Sequence, residues 1–186
     1  MYLKAWQRRD VEWKLATPME KNTTPKALRR WLYDVGSLTR QLRMYCHKDF
    51  SVRLISQTWE TPLPSEAKAL NIPQGHYAFV RQVHLLCGGH ARVYARTIIP
   101  VPVAMGRLRG LTHLGTRPLG EVLFSNRTMQ RGPIEVAKIA SCRELNRLAH
   151  GAAGDSTGTI WGRRSVFHLY NLPLLVSEIF LSDFPA

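Results

Sequence analysis

Two side chains of this 186-residue sequence stand where burial would give them chemistry to do. In Leu174-Leu175-Val176-Ser177-Glu178-Ile179-Phe180-Leu181 a single carboxylate interrupts an otherwise apolar run. Removing an unpaired charge from water is costly, so such a group needs a proton, a cationic partner or a reaction. Strand alternation likewise groups Phe79, Arg81, Val83 and Leu85 on one face, and a guanidinium among apolar neighbours calls for an anion. The pair could line a closed pocket in which Arg81 clamps a substrate carboxylate through two hydrogen bonds while Glu178 exchanges a proton. The plainer alternative is that Arg81 and Glu178 pair with each other, a buried ion pair kept for specificity rather than stability.

Other chemistries lack their usual footing. The histidines His47, His76, His84, His90, His113, His150 and His168 contain no His-Glu-x-x-His pattern, and Cys87-Gly88-Gly89-His90 lacks a second half-site, so no metal site is expected. There is no Gly-x-Ser-x-Gly elbow, phosphate-binding loop or dinucleotide fingerprint, which removes the common signatures of acyl-enzyme, nucleotide and hydride chemistry.

The elements that must position these side chains read as follows. Thr24-Pro25 caps a first helix carrying Leu28, Trp31, Leu32 and Val35 and ending near Gly36; Ser37 caps a second with Leu38, Leu42 and Tyr45 inward. Phe50 to Trp59 reads as a strand, and Tyr77 to Cys87 with Ala91 to Ile99 forms a hairpin about Gly88-Gly89. Pro100 and Pro102 stop the second hairpin strand, and a short helix is expected across Met105 to Leu111. Another starts at Thr116-Arg117-Pro118, with Leu119 in its first turn. Val136 to Leu148 is loosely helical, and 151–158 is a small-residue loop expected to be mobile. Strands at Thr159 to Tyr170 and Leu174 to Leu181 are joined through Asn171-Leu172-Pro173, the last of them apolar on both faces and therefore central. The class is α+β: one domain on an antiparallel sheet with flanking helices, residues 1–23 forming an N-terminal extension of lower order.

The whole chain bounds the function. Its net charge of +13 suits a nucleic-acid surface or an enzyme of anions, but the basic residues come in ones and twos (Arg8-Arg9, Arg29-Arg30, Arg107 and Arg109, Arg163-Arg164). With no basic run and no aromatic platform motif, no nucleic-acid partner is expected. No apolar run approaches a membrane span and the N-terminus lacks a leader-like core. Cys46, Cys87 and Cys142, odd in number and far apart, read as reduced thiols of a cytoplasmic protein, with a monomer as the default.

Several blocks in one order carry a family resemblance. Phe79-Val80-Arg81 with Leu85-Leu86-Cys87, Ala95-Arg96-Thr97-Ile98-Ile99-Pro100-Val101, Leu114-Gly115-Thr116-Arg117-Pro118-Leu119-Gly120 with Leu123-Phe124, Trp161-Gly162-Arg163-Arg164-Ser165, and Leu174 to Leu181 resemble the chorismate pyruvate-lyase family of ubiquinone biosynthesis. The resemblance covers about Trp31 to Leu181. It implies a roughly six-stranded antiparallel sheet flanked by helices, conversion of chorismate to 4-hydroxybenzoate and pyruvate, and no cofactor. It carries the family's ligand-contacting positions to Leu38, Arg81, Leu119 and Glu178: Arg81 for the ring carboxylate, Glu178 on the 4-hydroxyl side as general acid/base, Leu38 and Leu119 as walls. Arg163 and Arg164 are left either as helpers that attract the dianion or as surface charges. Leu38 stands where the family often has methionine, and the stretch between Ile139 and Thr159 is longer than in compact members, so a lid or access loop is expected to differ there. The rival reading is a non-catalytic small-anion module related to regulator effector domains, disfavoured because only about thirty residues precede the first recognisable block.

Overall fold

A computed structural model of the protein describes residues 10–151, 158–181 and 184. In chain order the elements are β1 (Lys14–Leu15), α1 (Pro18–Thr23), α2 (Lys26–Leu32), α3 (Leu38–Cys46), β2 (Phe50–Glu60), α4 (Pro64–Ala69), β3 (Ala78–Cys87), β4 (His90–Pro100), α5 (Val101–Met105), α6 (Leu119–Ser125), β5 (Gln130–Arg131), β6 (Glu135–Ile139), α7 (Glu144–His150), β7 (Ile160–Leu169) and β8 (Leu172–Phe180), with 3-10 turns at His47–Asp49 and Arg109–His113. The strands form one antiparallel sheet in the order β1-β6-β7-β8-β4-β3-β2, with β5 against β7. Six of them have five or more residues, and β1 and β5 add two residues each.

β8 sits at the middle of that order, and its residue pattern explains why. Leu174 and Val176 pack into a core with Phe79, Ile99, Leu119, Leu123 and Phe167, and Phe180 packs with Trp31, Leu38, Leu42, Val83 and Leu85, all on one face. On the reverse face, Ile179 packs with Ile139, Leu145 and Ile160, and Leu175 with Val80 and Ile98. Helices α2, α3, α5 and α6 thus cover the first face and α4 and α7 the second. A strand covered on both sides has no reason to alternate polar with apolar.

Several sequence expectations are corrected. Glu135–Ile139 is a strand rather than the start of a helix: Val136 and Ala137 are buried on its two faces while it pairs with Arg163 and Gly162, and α7 begins only at Glu144. Helix α5 starts immediately after Pro100 because Pro102, in the first turn, has no N–H to lose there. Val35 lies beyond α2 and is 75% exposed, and Tyr45 faces outward while Cys46 takes the buried place one turn after Leu42. Part of the N-terminal extension joins the sheet, Lys14 opposite Val136. Residues 152–157 of the loop expected to be mobile lie outside the described residues. The turn before β8 is Tyr170-Asn171, both at positive φ (52° and 61°), so Leu172 and Pro173 belong to the strand.

The reading of three reduced thiols is corrected at two of them. Cys46 ends α3, Cys87 ends β3, and the fold brings their Cα atoms to 5.4 Å in a disulfide. A separation of 41 residues hides such a pair, because only the packing of α3 on the sheet closes the distance. Cys142 is free and exposed. Among the described residues no helix is long and apolar enough to cross a membrane.

Candidate active site

Leu38, Arg81, Leu119 and Glu178 all line one partly enclosed cavity on the face covered by α3 and α6. Apolar side chains make most of the wall, among them Val52, Val83, Leu85, Leu123, Phe167 and Val176, and the charged groups are few.

The sheet register rules out the direct Arg81–Glu178 pair. Arg81 stands opposite Thr97 of β4, whereas Glu178 stands opposite Ala95, so one strand and a two-residue offset separate them. Two strand spacings and two residues along a strand put their Cα atoms roughly 12 Å apart. They face one space from opposite ends.

Arg81 is 3% exposed, and among the described residues no carboxylate pairs with it. Its Nη2 donates to the carbonyls of Gly115 and Arg117, each at 2.9 Å, which aims the guanidinium from the segment leading into α6. Its Nε is buried with no hydrogen-bond partner. Burial lowers its pKa to about 10, so the charge persists at neutral pH. A buried cation with an unused donor is a standing demand for an anion.

Glu178 has the partner that the sequence left undecided. Arg163, directly opposite on β7 and 1% exposed, donates Nε to Glu178 Oε2 at 2.5 Å. Its Nη1 donates to the carbonyls of Trp31 and Asp34, both at 2.7 Å, near the C-terminal end of α2, where helix carbonyls lack intrahelical donors. One side chain therefore fixes Glu178 to the sheet and seats α2 above it. Glu178 Oε1 makes no hydrogen bond to the described residues. Arg164 points to the other face, bonded to Glu135 and the Ser65 carbonyl, and does not line the cavity.

Leu38 and Leu119 each open a helix over the cavity. Ser37 caps α3, its hydroxyl accepting from the Arg40 N–H at 3.3 Å, and both leucines are buried. The two helix starts meet at Gly120, where a Cβ would come within 2.9 Å of Thr39 Oγ1 and 3.1 Å of Ser37 Oγ. Gly162 has a similar role beside Arg163: a Cβ there would meet Ile179 Cδ1 at 2.6 Å and Ile139 Cδ1 at 3.1 Å. Gly162→Ala overpacks this contact, which typically costs about 1–3 kcal/mol. A fall of roughly 2–10 °C in Tm is expected in a thermal melt.

Arg131 also lines the cavity and was not singled out from the sequence. Its short strand β5 gives no periodicity from which a face could be read. Among the described residues no group of three or more His, Cys, Asp or Glu side chains is placed to hold a metal ion.

The sequence model of the family described as Chorismate lyase matches residues 7–184. The chain belongs to the chorismate lyase family. Among its relatives, the "Probable chorismate pyruvate-lyase" of Methylococcus capsulatus is 42% identical over 151 residues, 81% of this chain and 92% of that protein. The protein of the same name from Thiobacillus denitrificans is 40% identical over 157 residues, covering 84% and 83% of the two chains. The ordered blocks of the sequence thus resemble the family to which the chorismate lyase profile assigns it. Among solved structures, the C-terminal domain of the histidine utilization repressor from Pseudomonas syringae aligns with a TM-score of 0.53 at 13% identity, over 74% of this chain and 94% of that one. The ligand-binding domain of a putative GntR-family regulator from Bordetella bronchiseptica aligns at 0.51 and 14%, over 75% and 89%. At such identities these two show that the chorismate lyase fold is shared with regulator effector domains, and nothing about activity.

Proposed function

We propose that the chain is a chorismate pyruvate-lyase, converting chorismate to 4-hydroxybenzoate and pyruvate at an early step of ubiquinone biosynthesis, with Arg81 and Glu178 as its charged working residues. Family membership and relatives of that name at 40 and 42% identity support the reaction. The observation that carries the site is the buried, carboxylate-free Arg81 with its unused Nε, facing the same apolar cavity as Glu178.

The reaction asks for positioning more than apparatus. The C4–H bond breaks, its electron pair enters the ring, the C3–O bond breaks, and the departing enolpyruvate takes up a proton to become pyruvate. The ring gains aromaticity, which drives the step. Arg81 holds the ring carboxylate through its free Nε edge, while Leu38 and Leu119 close on the ring and keep water out. Glu178 Oε1, on the 4-hydroxyl side, serves as general acid/base in moving the proton from C4 to the leaving group. Arg163 holds Oε2 so that Oε1 keeps its aim.

Nucleic-acid binding loses support because Arg81, Arg96, Arg163 and Arg164 are all buried, Arg96 against Glu66 and Glu60 on the reverse face. The reading carries a cytoplasmic, monomeric protein with a soluble substrate. The test is to mix the purified protein with chorismate in the presence of a chelator and follow 4-hydroxybenzoate and pyruvate together. Equimolar products well above the uncatalysed rate are expected; their absence would overturn the reading.

A further inference from the structure

We propose that Arg131 forms a second carboxylate subsite, which takes the enolpyruvyl arm of the substrate. The proposal rests on the lyase reading and goes beyond it by naming where the leaving group is held.

Charge count is the first observation. The cavity is lined by three guanidinium groups, those of Arg81, Arg131 and Arg163, against the single carboxylate of Glu178, which leaves two positive charges. Arg163 is committed to Glu178 and the carbonyls of Trp31 and Asp34. Arg81 and Arg131 therefore remain as two cations for two substrate carboxylates. Neither Arg81 nor Arg131 forms an ion pair among the described residues.

Their placement is the second. Across the sheet the order is β5, β7, β8, β4, β3, so Arg131 lies beyond Arg163 and Glu178, and Arg81 lies on the other side of them. A ring whose carboxylate reaches Arg81 and whose reacting carbons lie by Glu178 has its C3 substituent directed to the Arg131 end. Arg131 is pre-oriented there: Nε donates to Ser165 Oγ at 3.1 Å, Nη1 donates to the carbonyls of Asp34, Val35 and Gly36 at 3.4, 2.9 and 3.3 Å, and the guanidinium lies 5.2 Å from the Phe167 ring centre. Nη2 has no partner among the described residues. Burial and the neighbouring Arg163 lower the pKa of Arg131 to about 10, against the opposite pull of Glu178 and Asp34, so it too stays charged at neutral pH. A planar cation anchored on one edge and open on the other suits a carboxylate.

The test compares a dicarboxylate with a monocarboxylate on the same variants. Arg131→Gln is expected to lower kcat/KM for chorismate by at least about tenfold, mainly through KM, because it removes a charge-assisted hydrogen bond. Its Kd for 4-hydroxybenzoate, measured by calorimetry, should stay within about threefold of the parent. Arg131→Lys, which keeps the charge without the fork, should fall between the two in KM with the same product affinity, and it serves as the test if the Gln variant does not fold. Arg81→Met is the contrast and should lose both ligands. Parallel loss of chorismate and 4-hydroxybenzoate in the Arg131 variants would mean that Arg131 only anchors residues 34–36, and unchanged KM would mean that it touches no substrate; either result overturns the subsite. A parent protein that forms no product fails the lyase reading itself, and the subsite falls with it.

Discussion

Glu178→Gln is expected to reduce turnover of chorismate by about 10²–10⁴, the contribution a positioned general acid or base typically makes, while the protein stays folded. The substitution keeps the size of the side chain and an oxygen that still accepts from Arg163 Nε. Arg163 also keeps its bonds to the carbonyls of Trp31 and Asp34, so the seat of α2 above the sheet survives. What disappears is the ability of Oε1 to take up and release a proton, together with the carboxylate charge that faces Arg163. Binding of 4-hydroxybenzoate should change far less than turnover, since its carboxylate is held at the other end of the cavity by Arg81. Near-normal release of pyruvate from a folded Glu178→Gln variant would rule out the acid/base role. A variant that melts far below the parent would instead show that the Glu178–Arg163 pair is structural, as removing one partner of a buried pair costs about 3–5 kcal/mol.

That pair also shows where the sequence stops being legible. Faces were readable: alternation grouped Arg81 with Val83 and Leu85, and Glu178 with Val176, and these are the residues that line the cavity. Register was not. With the turn set at Asn171-Leu172-Pro173, Arg163 falls out of line with Glu178; with the two-residue turn at Tyr170-Asn171, the hairpin puts the two directly opposite. Positive φ at a tyrosine is the reason for the miss, since turns of this kind ordinarily favour Asn, Asp or Gly at both positions. Arg131 was invisible for a different reason, because a two-residue strand has no period and its side chain is set at the cavity only by contacts with the distant loop 34–36. The disulfide shares that cause: Cys46 and Cys87 meet only after a helix has packed on a hairpin.

Arg81→Met separates function from stability more sharply than any other substitution in the cavity. The folded protein holds the Arg81 guanidinium at a pKa of about 10, well below the ordinary arginine value, because burial disfavours its charged form. For a base with a depressed folded pKa the penalty on folding is full below about pH 10 and fades as pH rises toward the ordinary arginine value, so at neutral pH this charge works against the fold. Removing it relieves that cost and sacrifices the two hydrogen bonds to the Gly115 and Arg117 carbonyls, effects of opposite sign. The Tm of Arg81→Met is therefore expected within a few degrees of the parent. Turnover of chorismate should fall at least about a hundredfold, because nothing else in the described cavity replaces Arg81 at its end. Ligand-induced stabilisation gives an independent reading. At a hundred times its Kd, 4-hydroxybenzoate should stabilise the parent by about 2.7 kcal/mol, and the same concentration should leave Arg81→Met nearly unshifted. An equal shift in both proteins would place the carboxylate elsewhere, whereas a collapse of Tm without ligand would make Arg81 a structural residue whose buried charge the fold requires.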